Sequence, residues 1–286
     1  MMQTIVSICT QDYLAVSPLD GVRKIQTLVS EKGMCCCLVR ENDHIQGMLT
    51  LKDLLNAHPN RIAADVMTTE LPMLPPATPL WQAQEIMDTL QAEVVLVREE
   101  KELQGILTRT RLAQELGKHT DLLTGLYKSD FLYYQGRNLL AEGQEISIIF
   151  LDINNFGEID KTYGHTKGDL ILIEVGQLLK TVIPDHAYLC RFGGDEFVIL
   201  LAAYLPESIH LAQHLGQAFA SHPFPFGITV SVSTGIVGGR RSQSRPDNPL
   251  NMITNLINRA SLESTKAKKI DSHISVLDAV EIHDIA

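Results

Sequence analysis

The sequence predicts a mixed α/β (α+β) chain of two domains, and three observations carry that expectation. The 286 residues exceed what one ordinary core organises, because domains cluster near ~150 residues. The first part of the chain is duplicated. Leu38-Val39-Arg40-Glu41-Asn42-Asp43-His44-Ile45-Gln46-Gly47-Met48-Leu49-Thr50 returns 58 residues later as Leu96-Val97-Arg98-Glu99-Glu100-Lys101-Glu102-Leu103-Gln104-Gly105-Ile106-Leu107-Thr108, with eight of thirteen positions identical. Further on, Arg191-Phe192-Gly193-Gly194-Asp195-Glu196-Phe197 stands between two short apolar runs, 187–190 and 198–201, the pattern of two strands joined by a tight turn.

Composition narrows the function classes. A formal net charge of −10 argues against nucleic acid or an anionic membrane as the main partner. No apolar run approaches the ~20 residues of a membrane span, and Met1-Met2-Gln3-Thr4 lacks the basic start of an export signal, so a cytoplasmic protein is expected. Five cysteines include the run Cys35-Cys36-Cys37 and no Cys-x-x-Cys spacing. Consecutive strand residues point to opposite faces, so this run reads as small buried filler, not as a zinc or redox site.

Each copy of the repeat, about 1–58 and 59–117, reads as strand, helix, strand, turn, strand, helix. Val22, Ile25, Leu28 and Val29 mark the helix of copy one; Trp81, Ile86 and Leu90 mark that of copy two. Units this small cannot bury their apolar faces alone, so the copies should pack together. Two segments, Val66-Met67-Thr68 at the opening of copy two and Gly47-Met48-Leu49-Thr50-Leu51-Lys52-Asp53 in copy one, resemble a tandem pair of CBS domains over residues 1–117. That resemblance implies an adenine nucleotide (AMP, ADP or ATP) between the copies and a tendency to dimerise. It places the Thr50 hydroxyl near phosphate and the Asp53 carboxylate on the ribose hydroxyls, where one carboxylate accepts two hydrogen bonds. In copy two Thr108 is kept, but Arg111 replaces the aspartate, so at most one ribose-type site is complete; Arg109 and Arg111 are instead available to a phosphate. A local alternative is that Thr50 and Asp53 only cap the helix at 51–57.

After a short helix at 111–117 comes Asp121-Leu122-Leu123-Thr124-Gly125-Leu126. No heptad run separates the domains, so a linker of about ten residues is expected, which favours rigid-body coupling. In the second domain, 118–286, residues 146–152 form a buried strand ending in Asp152. Asn154-Asn155 and Gly164-His165 read as turns, and a helix runs from Gly168-Asp169 through Leu170, Ile171, Val175, Leu178, Leu179 and Val182. The glycine hairpin follows, then a helix with Ile209, Leu211, Leu215 and Phe219, a strand at 227–237, a helix through Ile253, Leu256, Ile257 and Ala260, and a last strand at 274–277. Gly193 and Gly194 are expected to supply the positive φ of the turn. A lone Gly-Gly-Asp would be an ordinary acidic turn, but here two adjacent carboxylates, Asp195 and Glu196, sit at its tip and repel each other unless a cation intervenes.

The pentapeptide Gly193-Gly194-Asp195-Glu196-Phe197, with the D-x-L-T-G-L opening at Asp121, resembles the GGDEF family of diguanylate cyclases. The resemblance implies a palm-like nucleotidyl cyclase fold with a central, mainly antiparallel sheet, acting as a homodimer on two molecules of GTP. It implies that Asp152, the carbonyl of Ile153 and Asp195 hold Mg²⁺ (or Mn²⁺), a hard cation suited to oxygen ligands, with Glu196 auxiliary. It makes Asp195 the acceptor of the ribose 3′-hydroxyl proton. Gly193 and Gly194 leave room for phosphate, and the amides of Ile153 to Phe156 form a cradle. Asp160 and Asp169 stand where the family reads guanine, His165 lines that pocket or serves only the turn, and Lys268 binds phosphate.

The chain also departs from the family pattern. Asp160 replaces an asparagine, Gly157 a lysine and Ser272 a phosphate-binding arginine, while Lys266 or Lys269 stands near enough in sequence to substitute. The inhibitory R-x-x-D is Pro184-Asp185-His186-Ala187, so product feedback there is not expected. Two readings stay open. One is a cyclase making cyclic di-GMP under the control of an adenine nucleotide at the CBS pair. The alternative is a catalytically degenerate GGDEF domain that binds GTP as a regulatory or interaction module; remoter still is a CBS-driven scaffold. No phosphodiesterase motif is visible.

Overall fold

The computed structural model describes residues 3–42, 44–100, 102–240 and 248–281. Asp43 and Lys101 of the repeat and the predicted domain end at 282–286 lie outside them. The chain divides into two compact units, Met1–Lys118 and His119–Ala286.

In the first unit, copy one is built from β1 (Leu14–Val16), α1 (Val22–Lys32), β2 (Cys36–Glu41), β3 (His44–Thr50) and α2 (Leu51–Asn56). Copy two repeats it as β4 (Met73–Leu74), α3 (Leu80–Thr89), β5 (Val94–Glu99), β6 (Glu102–Thr108) and α4 (Arg109–Gly117). Each copy makes a three-stranded sheet, β1-β2-β3 and β4-β5-β6, one pair parallel and one antiparallel. The register slips at Val39/Arg40 and again at the equivalent Val97/Arg98. Cys36, Leu38 and Met48 of copy one share a core with Val94, Leu96 and Ile106 of copy two, so the copies bury each other's apolar faces. Cys36 and Cys37 are fully buried and no cysteine is bridged; burial pushes the Cys37 thiol up to about 11, which keeps it inert.

Each copy's opening segment packs on the other copy. Thr10 bridges Ile106 of copy two, and Thr68, which opens copy two, bridges Met48 of copy one; both pairs are related by the 58-residue offset. The crossing segments pass directly over Gly47 and Gly105. A Cβ on Gly47 would lie 2.6 Å from Met67 Sδ, and one on Gly105 would lie 2.6 Å from the Thr10 carbonyl oxygen. That close approach explains why glycine recurs at both positions.

The second unit contains α5 (Ser129–Glu142), β7 (Ser147–Ile153), α6 (Phe156–Tyr163), α7 (His165–Val182), β8 (Ala187–Arg191), β9 (Glu196–Leu201), α8 (Leu205–Ser221), β10 (Val232–Arg240), α9 (Pro249–Ala267) and β11 (Ile274–Glu281). Its sheet runs β11-β10-β7-β9-β8, antiparallel throughout except for the parallel β10–β11 pair. Strand residues alternate between two cores. Ile149, Leu151, Phe197 and Ile199 pack with residues of α7 and α8; Ile148, Phe150, Val198 and Leu200 pack with residues of α5 and α9.

Several elements depart from the sequence reading. Helix α5 was not legible as one because Gly136 interrupts it; that glycine faces Ile253, 2.9 Å from where a Cβ would sit. Helix α6 is short, turning Ile159 and, in part, Phe156 to the core, too few apolar positions to read as a helix in sequence. Helix α7 starts at His165, not at Gly168. Strand β10 starts at Val232, since residues 225–227 turn through a left-handed Phe226 at φ 63°. The expected linker is also absent: Lys128 N–H donates to His119 O and Asp121 N–H to Leu126 O, so residues 119–128 fold into the second unit itself.

Candidate functional site

The ends of β7 and β9 bring the acids together. Asp152 lies opposite Glu196 in the β7–β9 register and opposite Ser233 on β10. Asp152 and Glu196 have the same parity as Phe150 and Val198, so both reach the face covered by α9. The turn folds Asp195 back so that its carbonyl accepts from Ile153 N–H at 3.2 Å. Lys268 caps the C-terminus of α9 and places Nζ 2.8 Å from Asp152 Oδ1. The angle is poor for a hydrogen bond, and that buried oxygen has no hydrogen-bond partner. Burial raises the Asp195 and Glu196 carboxyls above the usual range; Asp152 raises both further, and Asp195 adds to the effect at Glu196.

Three carboxylates, Asp152, Asp195 and Glu196, with the Lys268 ammonium ion-paired to one of them and burial and mutual repulsion raising the other two, make a site short of positive charge. That donor set fits a hard divalent cation. Among the described residues no group of three His, Cys, Asp or Glu side chains is able to hold a metal alone, so a cation here would draw further oxygens from a bound substrate.

The turn itself is held by residues that the sequence reading did not assign to the site. Arg191 Nε and Nη2 donate to the Gly194 carbonyl, at 3.0 and 2.5 Å, and Nη1 donates to Asp121 Oδ1 at 2.9 Å. Asp121 Oδ1 also accepts from Thr124 N–H and Oγ1–H. Burial works to raise the Asp121 carboxyl, but the Thr124 and Arg191 hydrogen bonds outweigh it and hold the group below the usual range. The opposite charges of Asp121, which opens one motif, and Arg191, which opens the other, were the available signal. The glycines act differently from expectation: neither Gly193 nor Gly194 is left-handed. A Cβ on Gly193 would overlap the Glu196 carboxylate, whereas Gly194 faces open space. Gly235, also missed, lies in the interior of β10, where a Cβ would overlap the Ala260 carbonyl and the Ser264 amide. Its lack of a side chain seats α9 on the sheet and so sets where Lys268 emerges.

The amide cradle is smaller than expected. Ile153 N–H is used by Asp195, and Asn154 N–H donates to Ser231 O at 2.9 Å. The first turn of α6, starting at Phe156 after a left-handed Asn155, is left with amides that have no intrahelical acceptor. On that helix Asp160 Oδ2 lies 2.8 Å from His165 Nδ1, while Asp160 Oδ1 is buried without a partner. Gly168 makes room for that oxygen, since a Cβ there would overlap it and touch Phe156. Asp169 follows on α7 and is exposed, as is His165. Ser272 precedes β11 and its hydroxyl turns to its own strand, 3.4 Å from Ile274 O.

In the first unit Thr50 and Asp53 form a complete capping box. Asp53 Oδ2 accepts from Thr50 N–H at 2.8 Å and from Thr50 Oγ1–H at 2.7 Å, and Asp53 N–H donates to Thr50 Oγ1. Thr108 caps α4 by accepting from Arg111 N–H, and the Arg111 side chain is exposed. Arg109 is not available to a phosphate: its guanidinium is held by Asp88 and by the Met87 and Ala92 carbonyls at the end of α3.

Comparison with known proteins places this geometry. The family model for the diguanylate cyclase GGDEF domain matches residues 118–269, and the CBS domain model matches 5–60 and 63–118. A diguanylate cyclase of Vibrio cholerae is 39% identical over 111 residues, covering 37% of this chain and 35% of that protein. An uncharacterized membrane protein of Staphylococcus aureus is 33% identical over 105 residues, covering 35% of this chain and 30% of its own. The chain thus spans about a third of the length of these curated relatives. Among solved structures, the diguanylate cyclase SiaD of Pseudomonas aeruginosa, in complex with its activator SiaC, shares the fold with TM-score 0.50 at 20% identity over 70% of this chain and 72% of that one. The coiled coil and GGDEF domain of DgcB from Caulobacter crescentus, in complex with c-di-GMP, gives TM-score 0.50 at 18% identity over 69% and 99%.

Proposed function

The chain belongs to the GGDEF diguanylate cyclase family with a CBS pair ahead of the GGDEF domain, and from that premise we propose that it condenses two GTP into cyclic di-GMP with release of two pyrophosphates. The observation that carries the reading is that Asp152 lies opposite Glu196 at the strand ends, is electrostatically coupled to both Asp195 and Glu196, and is ion-paired to Lys268. Asp152, the Ile153 carbonyl and Asp195 would hold Mg²⁺ or Mn²⁺, which when bound neutralises triphosphate charge. Asp195, its carboxyl raised by burial and by Asp152, takes the proton of the ribose 3′-hydroxyl. The 3′-oxygen then forms a bond to the α-phosphorus of the other GTP as the α–β phosphoanhydride bond breaks. Lys268 receives triphosphate charge, the first turn of α6 offers amides to it, and Asp160 and Asp169 accept from the guanine N–H groups. Each chain presents one GTP, so the acting species is a homodimer.

The CBS pair binds AMP, ADP or ATP through the Thr50–Asp53 side of copy one and sets the cyclase rate. Among the described residues no helix is long and apolar enough to cross a membrane, and the reading places the chain in the cytoplasm, where its nucleotides are. A second reading, GTP binding without turnover, is favoured by Ser272, whose short side chain turns back to its own strand. Turnover decides between them: purified protein with GTP and Mg²⁺, with and without AMP or ATP, products resolved by mass, and Asp195→Ala as the blank. Cyclic di-GMP that depends on Asp195 supports the cyclase; GTP binding without product overturns it.

A further inference from the structure

Lys268 stands in a position that a phosphate-binding lysine alone does not require. Its Nζ is directed at Asp152 Oδ1, 2.8 Å away, with the lysine side chain 43% exposed and the aspartate 16% exposed. The carboxylate is therefore fixed and the ammonium is the mobile partner. Its backbone is anchored, because Lys268 N–H donates to Ser264 O at the end of α9, and only the four-carbon stem is free to swing. The contact is not an aligned hydrogen bond, so it holds by charge, with little directional penalty for leaving. The neighbouring cation, Arg191, cannot take this part, since Gly194 O and Asp121 lock its guanidinium.

We propose that Lys268 is a tethered stand-in for the metal, resting on Asp152 when the site lacks nucleotide and moving to the triphosphate when nucleotide and cation arrive together. This rests on the cyclase reading above and adds an order to it. An ammonium on Asp152 Oδ1 repels a divalent cation approaching the same carboxylate, so each weakens the other's hold there. Metal alone meets that repulsion and finds too few side-chain ligands among the described residues. Metal with nucleotide finds phosphate oxygens for itself and an alternative anion for Lys268. The predicted behaviour is weak binding of free metal and strong coupling between metal and nucleotide.

The test is the binding of Mn²⁺ to the full chain, followed by the electron paramagnetic resonance of free Mn²⁺. It is run alone and with α,β-methylene-GTP, which cannot lose pyrophosphate, and the Mn²⁺ that the analogue binds without protein is subtracted. Without nucleotide, Lys268→Met should bind Mn²⁺ about tenfold more tightly than wild type, as removal of one adjacent positive charge requires. With the analogue, wild type should gain more affinity than Lys268→Met, since only wild type has a cation to relocate. Asp152→Asn should lose the site in either background. Equal Mn²⁺ affinity of wild type and Lys268→Met without nucleotide overturns the stand-in role while leaving the metal site intact. Absence of Mn²⁺ binding in every protein, with and without the analogue, overturns the metal site and the cyclase reading with it.

Discussion

Asp160 and Asp195 are both acids of the proposed nucleotide site, yet their surroundings differ. Asp160 leaves one buried carboxylate oxygen without a donor, against Gly168 and Phe156, and uses the other on His165. An amide in its place keeps the shape, removes a charge and adds a donor for the guanine ring. Asp160→Asn is therefore expected to lower KM for GTP about tenfold, the worth of one good hydrogen bond, read from initial rates of product formation. Asp195 is instead raised by burial and by Asp152. A carboxyl whose pKa is raised by folding binds its proton more tightly folded than unfolded. Its stabilising contribution is complete below the unfolded pKa and is lost as pH rises through the folded one. Asp195→Asn should thus raise the denaturation midpoint at about pH 7, with the gain shrinking toward about pH 4. A midpoint that falls at neutral pH would show that the acid is stabilised by a partner, contrary to its surroundings here.

At the scale of elements, the repeat units are held together by exchanged segments that cross on glycine. A Cβ at Gly105 meets a backbone carbonyl, that of Thr10, at 2.6 Å, whereas at Gly47 the nearest atom is Met67 Sδ, part of a flexible side chain, and the backbone carbonyl of Thr68 stands off at 3.0 Å. Backbone cannot step aside as a thioether can. Gly105→Ala should cost about 1–3 kcal/mol and Gly47→Ala distinctly less, measured by urea denaturation of each variant. Similar losses at both sites would mean that Met67 is as fixed as the backbone. The sequence showed the two glycines as equivalent repeat positions but could not show their unequal neighbours. The same limit applies to Gly193 and Gly194, which read as left-handed turn residues. The turn is instead shaped by Arg191 on the Gly194 carbonyl, and a Cβ on Gly193 would meet only the movable Glu196 side chain.

For the whole molecule, the proposed adenine nucleotide acts on stability by mass action. Each of AMP, ADP and ATP is to be titrated in a thermal melt of the full chain. At about one hundred times its Kd, the nucleotide that binds should add roughly 2.7 kcal/mol to the unit that holds it. Asp53→Ala should abolish that shift, while also weakening the cap of α2. No shift with any of the three would remove the nucleotide from the CBS pair and leave Thr50 and Asp53 as a capping box alone.

The sequence by itself determined the duplicated first unit, the βα alternation of each copy, the strand that ends in Asp152 and the glycine-tipped hairpin that carries Asp195 and Glu196. Apolar periodicity and turn residues are local properties, and the two motifs are contiguous strings. Tertiary structure decided what sits between them in space: the exchange of opening segments, the clamp from Asp121 through Arg191 to Gly194, the close seat of α9 on Gly235, and the pairing of Lys268 with Asp152. Those contacts join residues far apart in the chain, and each depends on a distance between backbones that no single segment encodes. Arg109 makes the same point. Two arginines beside a candidate phosphate site looked interchangeable in sequence, but the Met87 and Ala92 carbonyls at and just past the end of α3 claim one of them, because the negative end of a helix attracts whatever cation the fold brings near.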